Sequence, residues 1–452
     1  MNVRLVRLRA DRAASLAAGL CSVCSSHPDV LAAAVRLAGA RGEAVLVEAT
    51  ANQVNQYGGY TGLTPASFAE AILDLCAAHR VDPSLVVLGG DHLGPYPWRD
   101  RDAPGAMQEA ETLVRCFVRA GVQKIHLDAS MPLGGDPLPA LPPHVAAGRA
   151  AALCAAAEDE WRKLGRERHC AAPAYVIGTE VPVPGGGADG DAPHAPVPTR
   201  GEDFHETVAL HRRLFSQSGL DAAWERVIAV VLQPGVEFDR GAVYPYRREN
   251  AAALSLALSE HPGLCFECHS TDYQPTSVLH LLVEDGFAIL KVGPELTFCL
   301  REALFGLASI EEELLGGAAP ARASVRTSGL KAAILDAMRG DPRHWKGYYP
   351  EDESLPFSLT YSYSDRMRYY WNYPPVAAAV ARLHANLGRT GVPPQLVSQY
   401  LPHLPCMPDL DATDRAPRDL LRACVSASLQ RFMSACAPVA GRSSSSRGGA
   451  PA

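Results

Sequence analysis

No stretch of this chain is an unbroken apolar run of the roughly 18 residues needed to cross a bilayer as a helix. Its N-terminus, MNVRLVRLRADRAASLAAGL, lacks the continuous apolar core and cleavage site of a secretory signal. A membrane span is therefore not expected, and a cytoplasmic location is. Blocks of like charge are also missing. With 42 Lys and Arg against 49 Asp and Glu, the formal net charge is −7, which offers no basic footprint for a phosphate backbone and argues against a nucleic-acid partner. Metal-knuckle spacing is present only superficially. The pairs Cys21/Cys24 and Cys265/Cys268 have the CxxC interval but fall in strand-like runs, where residues three apart point to opposite faces and no knuckle turn exists. These cysteines are expected to be small buried hydrophobes, and a cytoplasmic chain of this size needs no disulfides.

What is present is an ordinary globular composition, 47% hydrophobic and 20% charged over 452 residues, enough for one large barrel with appended helices. Eight short apolar runs read as strands: 19–25, 44–49, 85–90, 124–129, 174–181, 227–233, 264–269 and 288–293. Alanine- and leucine-rich stretches at helical spacing separate them, among them PDVLAAAVRLAGA and MQEAETLVRCFVRAG. Eight strand-helix units predict an α/β fold, a parallel (β/α)8 TIM barrel over residues 1–315. Residues 316–436 are expected to form a helical appendage packed on it, and residues 437–452 a flexible tail. A Gly- and Pro-rich stretch at 182–201 is expected as a long loop after the fifth strand, a lid or a disordered segment.

The chain is organised around residues 44–98. Two apolar runs there end in polar bursts: Glu48, Asn52, Gln53, Asn55 and Gln56 after the first, Asp91 and His92 after the second. The C-terminal ends of barrel strands are where such folds place ligand-binding side chains, so GGDHLGPYPW is expected to deliver a carboxylate and an imidazole into a pocket. The simpler alternative makes Asp91 a helix cap and His92 a surface histidine.

The blocks EATANQVNQYGGYTGLTP, LGGDHLGPYPW, GTEVPVPGG, VLQPGVEFD, ECHSTDYQ, LKVGPELTF and YSYSDRMRYYW carry a family resemblance from about residue 19 to about residue 405. Together they resemble the non-catalytic, Z-type subunit family of class II D-tagatose-1,6-bisphosphate aldolase. The resemblance implies a barrel of the class II aldolase type, a tagatose-related sugar-phosphate ligand and, as partner, a catalytic class II aldolase subunit. A homo-oligomer is left open. In class II aldolases a zinc ion is held by histidines at the ends of strands three, six and seven, beside an aspartate that moves a proton. His92 and His269 match two of the three positions, and Asp91 matches the aspartate. Strand six ends instead in QPGVEFD, so the third ligand of a divalent metal, expected to be zinc, falls to Glu237, Glu180 or Gln233.

Glu48 joins Asp91 as a candidate catalytic carboxylate, and Asn52 and Gln53 are candidate binders of sugar hydroxyls. Ser270, Thr271 and Gly293 stand where barrels build phosphate sites. Arg366 and Arg368, in an aromatic block, offer guanidinium forks suited to phosphate. Two functions fit: an accessory subunit supporting the catalytic aldolase, and a metal-dependent 4-epimerase of tagatose 6-phosphate and fructose 6-phosphate. The second uses retro-aldol cleavage and re-addition.

Overall fold

Continuous apolar runs, the signature of parallel strands buried on both faces, become strands in this computed structural model. It describes residues 1–14, 16–137, 141–168, 171–178, 196–316, 326–402, 404 and 416–438. The strands are β1 (Leu20–Cys24), β2 (Val45–Thr50), β3 (Val86–Leu93), β4 (Lys124–Leu127), β5 (Ala174–Ile177), β6 (Val227–Val231), β7 (Cys265–Cys268) and β8 (Phe287–Val292). All eight expected runs are strands, and each is followed by helix. The sheet closes, with β1 in parallel register with β8 (Ser22 opposite Lys291) and with β2 (Cys24 opposite Glu48). The chain is therefore the expected (β/α)8 barrel. A small antiparallel hairpin after β6, Glu237–Phe238 with Val243–Tyr244, was not legible as strands. Local chemistry sets the helix limits. Thr64 and Ser67 form a capping box ahead of Pro65, and the helix Pro28–Arg41 ends on Gly42 at φ 63°.

Alternate residues of each strand point inward, and the interior is layered. Near the strand N-termini, Leu20, Leu46, Val87, Val176 and Cys265 make an apolar layer with Leu5 and Leu8 of the helix Val3–Ala13, which plugs that end of the barrel. Above it the inward positions turn polar. Gly89 of β3 makes room there, because a Cβ on it would lie 2.5 Å from Glu48 Oε1.

After the helix Pro294–Leu315 come the helices Leu330–Gly340, Leu355–Tyr361, Pro374–Thr390, Pro394–Tyr400 and Pro417–Cys436. One hydrophobic core runs across residue 315, joining Leu300 and Leu307 to Trp345, Met367, Trp371 and Phe432. The helix Pro417–Cys436 packs against Pro28–Arg41, Thr276–Glu284 and Pro294–Leu315, and it lies on β1 and β8. The Gly19 N–H donates to the Cys436 carbonyl at 2.9 Å. This late helix thus fills the place in the outer ring that backs the β1–β8 seam. Residues 182–195 of the expected loop, and 439–452 of the expected tail, lie outside the described residues. No described helix is long and apolar enough to cross a membrane.

Candidate active site

The polar layer inside the barrel is a set of paired charges. Lys124 Nζ lies 2.9 Å from Glu48 Oε1 and 2.5 Å from Glu267 Oε2. Lys291 Nζ lies 2.5 Å from Asp91 Oδ1, 3.0 Å from Glu48 Oε2 and 3.3 Å from Glu267 Oε1. All five side chains are buried, and buried charges persist in such surroundings only when paired and hydrogen-bonded. The sequence expectation for Glu48 is corrected here. It does not stand in a loop facing a ligand but points into the closed barrel, where two lysines and the Ser22 hydroxyl (2.6 Å) hold it.

Two of these carboxylates, Asp91 and Glu267, also converge with His126 and His269, with potential ligand atoms all within 4.8 Å of one another. Nitrogen and carboxylate donors in this combination suit a divalent metal. Two features of the cluster fit such an ion. The Nε2 of His126, fully buried, has no hydrogen-bond partner among the described residues. Glu48, Asp91 and Glu267 share the two cations Lys124 and Lys291, so these five charges leave one negative charge in excess for an ion to balance. Burial lowers His269 to about 3, which keeps its imidazole neutral and able to ligate. Burial alone would raise the Asp91 carboxyl, but His92 and Lys291 outweigh it and hold the group well below the usual carboxylate range.

His92, expected as a ligand, stands beside this group rather than in it. The backbone turns at the end of β3 to φ 46°, and the ring sits 4.7 Å, centroid to centroid, from His269 and 5.1 Å from His126. Its Nδ1 is 2.7 Å from Asp128 Oδ2, a pairing that occupies one of its two nitrogens. Gly94, two residues on, has no room for a side chain, since a Cβ would come within 1.5 Å of the Asp128 carbonyl. Gly94→Ala is therefore expected to cost about 3 kcal/mol or more, because neither backbone can give way. A thermal melt matching wild type would contradict this packing.

Asp91, His92, His269, Asn52, Gln53, Ser270, Gly293 and Arg368 line one pocket at this end of the barrel. Three expected residues are elsewhere. The Arg366 guanidinium stacks 3.2 Å from the Tyr348 ring centroid, inside the C-terminal helices. Thr271 is fully buried, with its hydroxyl donating to the Lys291 carbonyl at 2.5 Å. Glu237 sits in the hairpin, outside the convergent group, and accepts from the Phe238 N–H at 3.0 Å. Glu180 lies outside the described residues. The remaining candidate ligand, Gln233 after strand six, is also spent, since its Oε1 accepts from the N–H groups of Gly235 and Val236, both at 2.9 Å.

Cys21, Cys265 and Cys268 are buried as expected, whereas Cys24 is only partly buried and lines the pocket. His126, Glu267, Lys124, Lys291 and Asp128 were missed. For three of them the signal was available in KIHLD, where Lys124, His126 and Asp128 alternate with Ile125 and Leu127 at the two-residue period of a strand.

Burial pushes the Glu237 carboxyl up from 4.5 to about 7, against the pull of the Phe238 N–H and Ser270. The fold keeps a proton here that the unfolded chain has already released, so stability falls as pH rises from 4.5 through about 7. Glu237→Gln, uncharged and still an acceptor, is expected to raise the melting temperature at pH 8 and leave it unchanged at pH 4. An equal shift at both pH values would rule out titration as the cause.

A closed parallel barrel with buried acids, imidazoles and lysines in its interior, beneath a pocket at the C-terminal ends of its strands, defines a (β/α)8 protein. The chain belongs to the family described as D-tagatose-1,6-bisphosphate aldolase subunit GatZ/KbaZ-like, whose profile matches residues 5–437. It is 44% identical over 436 residues to the D-tagatose 6-phosphate 4-epimerase of Agrobacterium fabrum (strain C58 / ATCC 33970), covering 96% of this chain and 99% of that one. It is 46% identical over 386 residues to the D-tagatose-1,6-bisphosphate aldolase subunit GatZ of Klebsiella pneumoniae subsp. pneumoniae, covering 85% of this chain and 88% of that one. It is also similar to the crystal structure of a Sinorhizobium meliloti 1021 protein described as a probable tagatose 6 phosphate kinase. There the TM-score is 0.79 at 40% identity, with 92% of this chain and all of that one covered.

Proposed function

We propose that this chain is an accessory subunit of a class II D-tagatose-1,6-bisphosphate aldolase, supporting a separate catalytic subunit in carbohydrate metabolism. The observation that carries this reading is at strand six. Where class II aldolases are expected to place a metal-binding histidine, Gln233 is committed to capping its own turn. Co-expression with a catalytic aldolase subunit is the test. The expected result is a higher and longer-lived cleavage of tagatose 1,6-bisphosphate than the catalytic subunit shows alone, and no change on adding this chain would end the proposal.

A second reading, a 4-epimerase acting on tagatose 6-phosphate, is favoured by the convergent Asp91, His126, Glu267 and His269. A scaffold has no need of four convergent buried ionisable groups, two of which, Asp91 and His269, line the pocket. In this reading the ionised Asp91 accepts the proton of the C4 hydroxyl as the C3–C4 bond breaks, and returns it after the aldehyde has turned over and added back. Lys291, touching Asp91, keeps that carboxylate charged between turnovers. His126 and His269, with Glu267, would hold a divalent ion, for which zinc suits the donors, and such an ion polarises a ketose carbonyl. Incubating the isolated chain with tagatose 6-phosphate, with zinc and with a chelator, tests this directly. Production of fructose 6-phosphate is expected, and its absence in both conditions removes the reading.

The metal has its own check. Elemental analysis should find close to one divalent ion per wild-type chain after loading, and almost none in the double variant His126→Ala, His269→Ala. Equal, negligible occupancy in both would show that the group holds no metal.

A further inference from the structure

A phosphate in a (β/α)8 barrel ordinarily meets the free N–H groups after β7 and β8 and at the start of the following helix. Here two of the donors that open the helix after β8 are spent. The N–H groups of Gly293 and Glu295, where the helix Pro294–Leu315 begins, donate to Asp272 Oδ1 at 2.9 and 2.8 Å. Asp272 is 2% exposed, so the anion position of this helix is already filled by a side chain of the protein. A phosphate brought to that helix start would face the Asp272 carboxyl group, which already holds the N–H groups of Gly293 and Glu295.

Another wall of the pocket is built by the loop after β2 and the segment 368–372. Of the pocket's lysine and arginine side chains, Lys291 is shared among three carboxylates. Arg368 pairs with none among the described residues. Its guanidinium is fixed by the carbonyls of Ser364 and Asp365, the latter at 2.9 Å, and by the Tyr369 hydroxyl at 3.0 Å. Tyr369 in turn packs edge-on against Tyr60, with centroids 4.6 Å apart. The charge is thus held in place without being neutralised. Trp371 lines the same wall at 5% exposure, and its indole N–H has no acceptor among the described residues. Buried donors are almost always satisfied, so an unmatched one in a pocket wall points to an acceptor brought by a ligand.

We propose that this is a one-phosphate pocket, in which Arg368, with the Trp371 N–H, binds the phosphate of a ketose monophosphate while the helix after β8 takes no part. The proposal rests on the sugar-phosphate ligand of the preceding section. It adds that a bisphosphate gains nothing from its second phosphate.

Calorimetric titration of the full chain with tagatose 6-phosphate, tagatose 1,6-bisphosphate, unphosphorylated tagatose and inorganic phosphate tests it. Wild type is expected to bind the monophosphate at least tenfold more tightly than tagatose or inorganic phosphate, and no less tightly than the bisphosphate. Arg368→Gln should weaken monophosphate binding about tenfold to a hundredfold, the range for a lost charged hydrogen bond. Trp371→Phe should weaken it severalfold, and Arg368→Lys, which keeps the charge but not the fork, should fall between wild type and Arg368→Gln.

Unchanged monophosphate binding in folded Arg368→Gln and Trp371→Phe would overturn the inference while leaving the sugar-phosphate reading intact. A bisphosphate bound tenfold more tightly than the monophosphate would also overturn it, and so would inorganic phosphate binding as tightly as the sugar phosphate. Failure of wild type to bind either phosphorylated ketose would remove the sugar-phosphate reading itself, and this inference with it.

Discussion

Asp91→Asn is expected to lower any epimerisation by the isolated chain about 10²- to 10⁴-fold, the usual loss when a positioned general acid/base is removed. The physical reason is specific to this pocket. The carboxylate lines the cavity, is kept ionised by His92 and Lys291, and lies among the metal-capable donors. The amide cannot take the C4 proton. Stability will change too, because the substitution leaves Lys291 with one fewer of its three carboxylates. Rate and melting temperature should therefore be measured on the same preparation. A folded variant that still epimerises at the wild-type rate would exclude Asp91 from the chemistry. A folded variant that supports a co-expressed aldolase as well as wild type does would separate the accessory role from the pocket.

Lys124→Met should produce the largest loss of stability in the molecule. Lys124 is fully buried and bridges Glu48 and Glu267. Removing one partner of a buried ion pair typically costs about 3–5 kcal/mol, because the charge left behind is neither solvated nor matched. Here two carboxylates lose the same cation. The cost should be partly recovered in the double variant Lys124→Met, Glu48→Gln, which removes one of the stranded charges. Denaturant unfolding measures both, and a single variant within about 1 kcal/mol of wild type, smaller than the usual cost of breaking such a pair, would contradict the bridging role.

The barrel was legible because its strands are buried on both faces, so that AVLVEA, VIAVVLQ and the other runs stand out against the helical spacing between them. The pocket was only half legible. Asp91, His92 and His269 mark strand ends, where loops and polar residues begin. Lys124, His126 and Glu267 lie inside strands, where the expected apolar character masks them unless the alternation of inward and outward positions is followed residue by residue. Glu48 misled for the same reason. It is the fourth residue of a six-residue strand, and so belongs to the barrel interior rather than to the loop. Arg366 and Arg368 cannot be told apart by composition. Two residues apart at the one-turn segment Arg366–Tyr369, one packs on Tyr348 and the other reaches the pocket. The contribution of the helix Pro417–Cys436 to the barrel wall has no sequence signal either, because an amphipathic helix does not announce which surface it will cover.

That helix imposes an order on synthesis. β1 is made early, yet the strand that closes the barrel beside it and the helix that backs it both come much later in the sequence. Contacts of such large sequence separation form slowly, and an unpaired strand edge is prone to associate with other chains. Through most of translation the nascent protein therefore presents β1 with one edge open and one face bare. A ribosome stalled before residue 417 would leave a barrel whose seam has no outer cover, a species suited to capture by a chaperone rather than to release.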